Sequence, residues 1–71
     1  MTVEQWAMRN LEEDGMSSQT AANAIRKAKS LWCGKAMKQL WSIDIEGYPA
    51  TLLSEMLQEL KYIARKIQTE N

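Results

Sequence analysis

Histidine is absent from the chain, and cysteine occurs once, at Cys33. Those two shortages remove most small-domain chemistry. A lone cysteine cannot close an internal disulfide, and one thiol without imidazoles cannot assemble a zinc site with the usual ligand spacing. Without histidine there is no ordinary general base near neutral pH, and Cys33 has no imidazole to lower its pKa, so nucleophilic catalysis has no visible machinery. Cys33 therefore reads as a small buried residue beside Trp32. The three glycines are scattered and form no phosphate-cradling loop. The expectation is a protein that is not an enzyme and carries no cofactor or metal.

Long apolar runs are also missing. Nothing approaches the roughly 20 residues that span a bilayer, and the first residues lack the basic and hydrophobic regions of a signal sequence. A soluble, cytoplasmic protein without membrane contact is expected, in line with an unpaired cysteine in a reducing compartment. Net charge is zero, which argues against a generic nucleic-acid binder.

The charges present are unevenly distributed. Four acids and Arg9 precede Gly15, whereas five bases and no acid lie between Asp14 and Asp44: Arg26, Lys27, Lys29, Lys35 and Lys38. Folding either neutralises these blocks against one another or leaves a basic face exposed. With 71 residues, one domain is expected over residues 1–71, and a domain of this size buries only roughly 60% of its extended-chain surface. Trp6, Trp32, Trp41 and five methionines must supply the burial, or a second chain must.

The strongest periodic signal is YPATLLSEMLQELKYIARKIQ, from Tyr48 to Gln68. Leu53, Met56, Leu60, Ile63 and Ile67 recur alternately three and four apart, with Leu52, Leu57 and Ala64 broadening the stripe, as on a helix that buries one face. Pro49 suits its first position. The other segments are expected to lie against this helix.

Thr2 and Gln5 form a capping box for a first helix, and Gly15 is placed to end it in a Schellman motif with Met16 touching Leu11. Ser17 caps a second helix with Ala21, Ala24, Ile25, Ala28, Leu31 and Trp32 on one face. Gly34 ends it before a short third stripe of Ala36, Met37, Leu40 and Trp41, or else one helix kinks through Gly34. Ile43 to Gly47 reads as a connection, since one short alternating stretch with no strand to pair with is not a sheet. The fold expected is all-α: a small four-helix domain over residues 3–14, 18–33, 35–42 and 49–68, organised on the long C-terminal amphipathic helix. Its core should draw on Trp6, Leu11, Ile25, Ala28, Trp32, Met37, Leu40, Trp41, Leu53, Met56, Leu60 and Ile63.

Trp41, Gly47-Tyr48-Pro49, Leu52-Leu53 and Ala64 together resemble a pattern found in short proteins of uncharacterised function encoded by bacteriophages and prophages. The resemblance covers the C-terminal half and, more loosely, Trp6 to Met16. It implies a cytoplasmic protein of mobile-element origin and brings no catalytic residues.

Three surface features remain as candidates for binding. Glu12, Glu13 and Asp14 sit at the C-terminal end of the first helix, where the dipole makes each negative charge unfavourable. Arg26 or Lys27 across the Gly15 turn is the expected compensation, and an acidic patch awaiting a basic partner is the functional alternative. The basic block can be a solvated face, or it can form a helix-turn-helix with Lys35 and Lys38 opening a recognition helix. Asp44 and Glu46 lack the further oxygen ligands of a calcium site and read as a solvated turn.

In the last helix, Glu55 with Glu59 and Lys61 with Arg65 are like-charged pairs one turn apart. Acids early and bases late suit the helix dipole. They also suit an antiparallel homodimer about Leu60, with Tyr62 as an anchor at its rim. The leading expectation is a non-enzymatic phage-type binding protein that occludes a host protein or nucleoprotein surface, such as part of a defence system. A small DNA-binding regulator using residues 26–38 and a helical oligomeric assembly protein are the alternatives.

Overall fold

The computed structural model describes residues 1–32, 34 and 39–70. Three long helices are present: α1 (Val3–Glu13), α2 (Ser18–Leu31) and α3 (Ala50–Glu70), with a 3-10 turn over Ile45–Gly47. The all-helical architecture follows the periodicity of the sequence. Of the expected third helix, residues 35–38 lie outside the described part, as does Met37 of the expected core. Gln39 and Leu40 are helical, and Trp41 and Ser42 form a turn.

Both ends of α1 are closed by the groups its sequence supplies. The Gln5 amide donates to Thr2 Oγ1 at 3.2 Å, and the Thr2 amide donates to Gln5 Oε1 at 3.0 Å, completing the capping box. At the other end the Gly15 amide donates to the Glu12 carbonyl at 3.0 Å and the Met16 amide to the Leu11 carbonyl at 3.3 Å. That pair of bonds is the Schellman pattern, and it needs the left-handed backbone that Gly15 adopts with φ of 94°. Ser17 then caps α2 by accepting from the Thr20 amide at 3.2 Å.

The remaining amides of the first turn of α1 are satisfied from far along the chain. Val3 donates to the Ile43 carbonyl at 2.8 Å and Glu4 to the Trp41 carbonyl at 3.1 Å, while the Ile45 amide donates to the Met1 carbonyl at 3.1 Å. An isolated antiparallel bridge pairs Thr2 with Asp44. The connection forms no sheet among the described residues, as expected, but it is tied to the start of the chain, because helix-initial N–H groups have no partner within their own helix.

The buried set is Val3, Ala7, Leu11, Met16, Ala21, Ala24, Ile25, Ala28, Leu40, Trp41, Leu53, Met56, Leu60, Ile63 and Ala64. Trp6 and Trp32, expected in the core, are only partly buried at its margin. Leu31 and Leu52 depart further, at 60% and 47% exposed. Leu31 is the last residue of α2, at the edge of its apolar stripe, and Leu52 flanks the α3 stripe. Helix α2 also ends two residues earlier than expected: Trp32 is its C-cap with ψ of 71°, so the helix does not run through Gly34.

The longest helix is not the hub. Helix α2 meets α3 along the largest contact and α1 along the next, whereas α1 and α3 touch least. The reason is the size of the residues on α2: Ala21, Ala24 and Ala28 are all fully buried, and small side chains let neighbouring helix axes approach closely.

Two stability measurements test this packing. Leu60 is fully buried, and Leu60→Ala should lower the unfolding free energy by about 2 to 5 kcal/mol, read by urea or thermal denaturation. Gly15→Ala meets no atom within 4 Å of the added Cβ, so its cost should be the conformational one of about 1 to 2 kcal/mol. A larger loss at Gly15 would mean a steric contribution as well.

Candidate functional site

Among the described residues, no polar or charged side chain belongs to the buried set. Among the described residues, no group of three or more His, Cys, Asp and Glu could hold a metal ion, and no helix is long and apolar enough to cross a membrane. Charged and apolar groups are exposed on α2 and α3 and along two clefts.

The first cleft, of about 470 Å³, runs between α1 and α2 and is lined by residues including Glu4, Met8, Ile25, Arg26 and Lys29. Lys29 Nζ reaches across it to pair with Glu4 Oε1. The same ammonium stands 5.7 Å from the ring centroid of Trp41, within cation–π range. Trp41 in turn stacks on Trp32, with centroids 5.9 Å apart and planes inclined by 7°. Lys29 is thus held by an acid of α1 and an aromatic of the 41–45 connection. Arg26 and Lys27 are exposed on α2 and, among the described residues, take part in no ion pair. Lys35 and Lys38 lie outside the described part.

The acidic cluster is compensated by a different base from the one expected. Asp14 Oδ1 lies 4.0 Å from Lys61 Nζ of α3, not beside Arg26 or Lys27. Distance along α2 explains the difference. Arg26 is two turns into the helix, roughly 12 Å from its start, and it reaches the N-terminal half of α1, where the cleft brings it near Glu4 and Met8. Glu12 and Glu13 remain exposed. The Lys61–Asp14 pair is itself partly solvated, at 35% and 40% side-chain exposure, and such pairs contribute at most about 1 kcal/mol.

The second cleft, of about 330 Å³, opens between the end of α2 and the N-terminal half of α3. Trp32, Leu40, Tyr48 and Leu52 make its apolar walls, and Glu55 and Glu59 stand on its rim. Neither carboxylate has an ion-pair partner among the described residues. Further along α3, Tyr62 is 61% exposed, with the Lys66 ammonium 5.1 Å from its ring centroid.

Of the residues singled out from sequence, Lys29 and Asp14 are engaged by other parts of the chain, Arg26 is exposed at the first cleft and Lys27 is exposed next to it on α2, and Tyr62 is exposed on α3. Glu4, Lys61 and the Trp32–Trp41 stack were not legible, since each depends on a contact between distant segments. Glu55 and Glu59 did carry a signal in their like-charged spacing. No family model matches the chain, and neither a curated protein nor a solved structure matches it.

Because Lys29 is held rather than free, Lys29→Ala should lower the unfolding free energy by about 1 kcal/mol, from an exposed ion pair and a cation–π contact together. The difference from wild type should shrink with added salt as the ion-pair share is screened. Denaturation at two ionic strengths, followed by tryptophan fluorescence, checks both.

Proposed function

We propose that the protein is a non-enzymatic, phage-type binding protein that covers a surface of a bacterial host protein or nucleoprotein complex, such as one of a defence system, in the host cytoplasm. The observation that carries this reading is the segregation of charge that has no ion-pair partner among the described residues: Arg26 at the α1–α2 cleft with Lys27 next to it, both exposed, and Glu55 and Glu59 beside an apolar cleft on α3. Separated patches of opposite sign steer encounter and fix the register of a complementary partner. A purely apolar buried set and the resemblance to phage-encoded sequences support it further. No reacting group has a role in this mechanism; the protein works by occupying a surface.

A DNA-binding regulator is the competing reading, resting on the basic face of α2. The engagement of Lys29 by Glu4 removes one of its five bases from free display and weighs against it.

Capture from bacterial lysate with three proteins tests the proposal: wild type, Arg26→Glu/Lys27→Glu and Glu55→Lys/Glu59→Lys. A host protein retained by wild type and lost with one charge variant is expected. If all three capture the same set, the occlusion reading fails. Direct DNA binding whose logarithm falls linearly with the logarithm of salt concentration, and which disappears with Arg26→Glu/Lys27→Glu, would replace it with the regulator.

A further inference from the structure

Helix α3 carries a second stripe that its own fold leaves open. Leu52, Glu55, Glu59, Tyr62 and Lys66 are all exposed, and they recur three, four, three and four residues apart, the spacing of a two-helix seam. The buried stripe of Leu53, Met56, Leu60, Ile63 and Ala64 faces α2, so this second one points elsewhere. It is acidic in its first half and basic in its second, with exposed apolar or aromatic surface at Leu52 and Tyr62.

We propose that a second copy of this chain occupies the stripe, with the two α3 helices antiparallel and related by a two-fold axis level with Leu60 and Lys61. In that register Glu55 lies opposite Lys66 of the second copy, Glu59 opposite its Tyr62 hydroxyl, and Leu52 opposite the methyl-bearing side chain of its Thr69. Two-fold symmetry repeats each contact once more. The parallel arrangement is excluded by the same residues, since it would set Glu55 against Glu55 and Lys66 against Lys66. The side chain of Lys66 has an apolar stem to lay along the cleft walls of Trp32 and Tyr48 while its ammonium meets the rim carboxylates. Leu60 itself is fully buried within its own chain and marks only the height of the axis.

The seam from Leu52 to Thr69 is about 26 Å long and holds few apolar groups, so association depends on charge and weakens as salt rises. This dimer engages the same Glu55 and Glu59 that the occlusion reading offers to a host surface, leaving Arg26 and Lys27 for that partner. A dimer that captures no host protein, or a monomer that captures one, separates the two.

Sedimentation equilibrium of the full chain at low ionic strength tests the pairing. Wild type should dimerise, and Glu55→Lys and Lys66→Glu should each weaken association by at least about 10-fold, because every substitution places two like-charged contacts in the seam. An equimolar mixture of the two variants should dimerise again, since at positions 55 and 66 one supplies only bases and the other only acids, and the double variant Glu55→Lys/Lys66→Glu should dimerise alone. Far-ultraviolet circular dichroism should be unchanged throughout, as both positions are exposed. A wild type that stays monomeric to about 100 µM, single variants that associate like wild type, or a mixture that stays dispersed would each overturn the proposal.

Discussion

Everything in this fold depends on how closely α2 can be approached. A chain of this length with a single cysteine, and so no internal disulfide, relies on the burial of apolar surface to oppose its conformational entropy. A helix with large residues on its inner face would hold its neighbours apart and leave gaps that so few side chains could not fill. Ala21, Ala24 and Ala28 avoid this by their small size, and they share one buried cluster with Leu11 of α1 and Leu60 of α3, all five fully buried. The longest element supplies five of the fifteen buried residues among those described, but the thinnest face decides where they can go.

The second constraint is the start of α1. A helix leaves its first N–H groups without internal partners, and here they are divided between Thr2, which takes Gln5, and the carbonyls of Trp41 and Ile43, which take Glu4 and Val3. One exposed end is thereby converted into a clasp that fixes the 41–45 connection. Trp41 is held at that place by its carbonyl and buried there by its ring, and it forms the surface on which Trp32 stacks and over which Lys29 lies. A local shortage of hydrogen-bond acceptors and a non-local aromatic contact thus support the same few residues.

This division between local and non-local forces explains what could be read in the chain beforehand. The capping box at Thr2, the Schellman turn at Gly15, the Ser17 cap and the α3 stripe are set by residues within one or two turns of each other, and the structure shows them where the sequence places them. The Thr2–Asp44 bridge, the Glu4–Lys29 pair and the Asp14–Lys61 pair join segments 25 or more residues apart, and no periodicity encodes them. Treating α3 as the hub followed from weighting helices by length, when side-chain size on α2 governs packing. For the surface, the like-charged spacing of Glu55 and Glu59 was visible. That these two carboxylates border a cleft walled by Trp32 and Tyr48 was not, because the walls come from elsewhere in the chain.

The same forces distribute work over the molecule. Burying a charge in a core this small would cost more than the fold can offset unless the charge were paired, and every buried residue among those described is apolar. Polar groups are consequently left to the periphery, where they divide into those that close the fold and those that do not. Lys29 and Lys61 belong to the first kind, since each ties its helix to α1 through Glu4 or Asp14. Arg26, Lys27, Glu55 and Glu59 belong to the second. They stand on helix faces already rigid from packing beneath them, so binding through them would order side chains without ordering backbone, and the conformational cost of recognition would be correspondingly small.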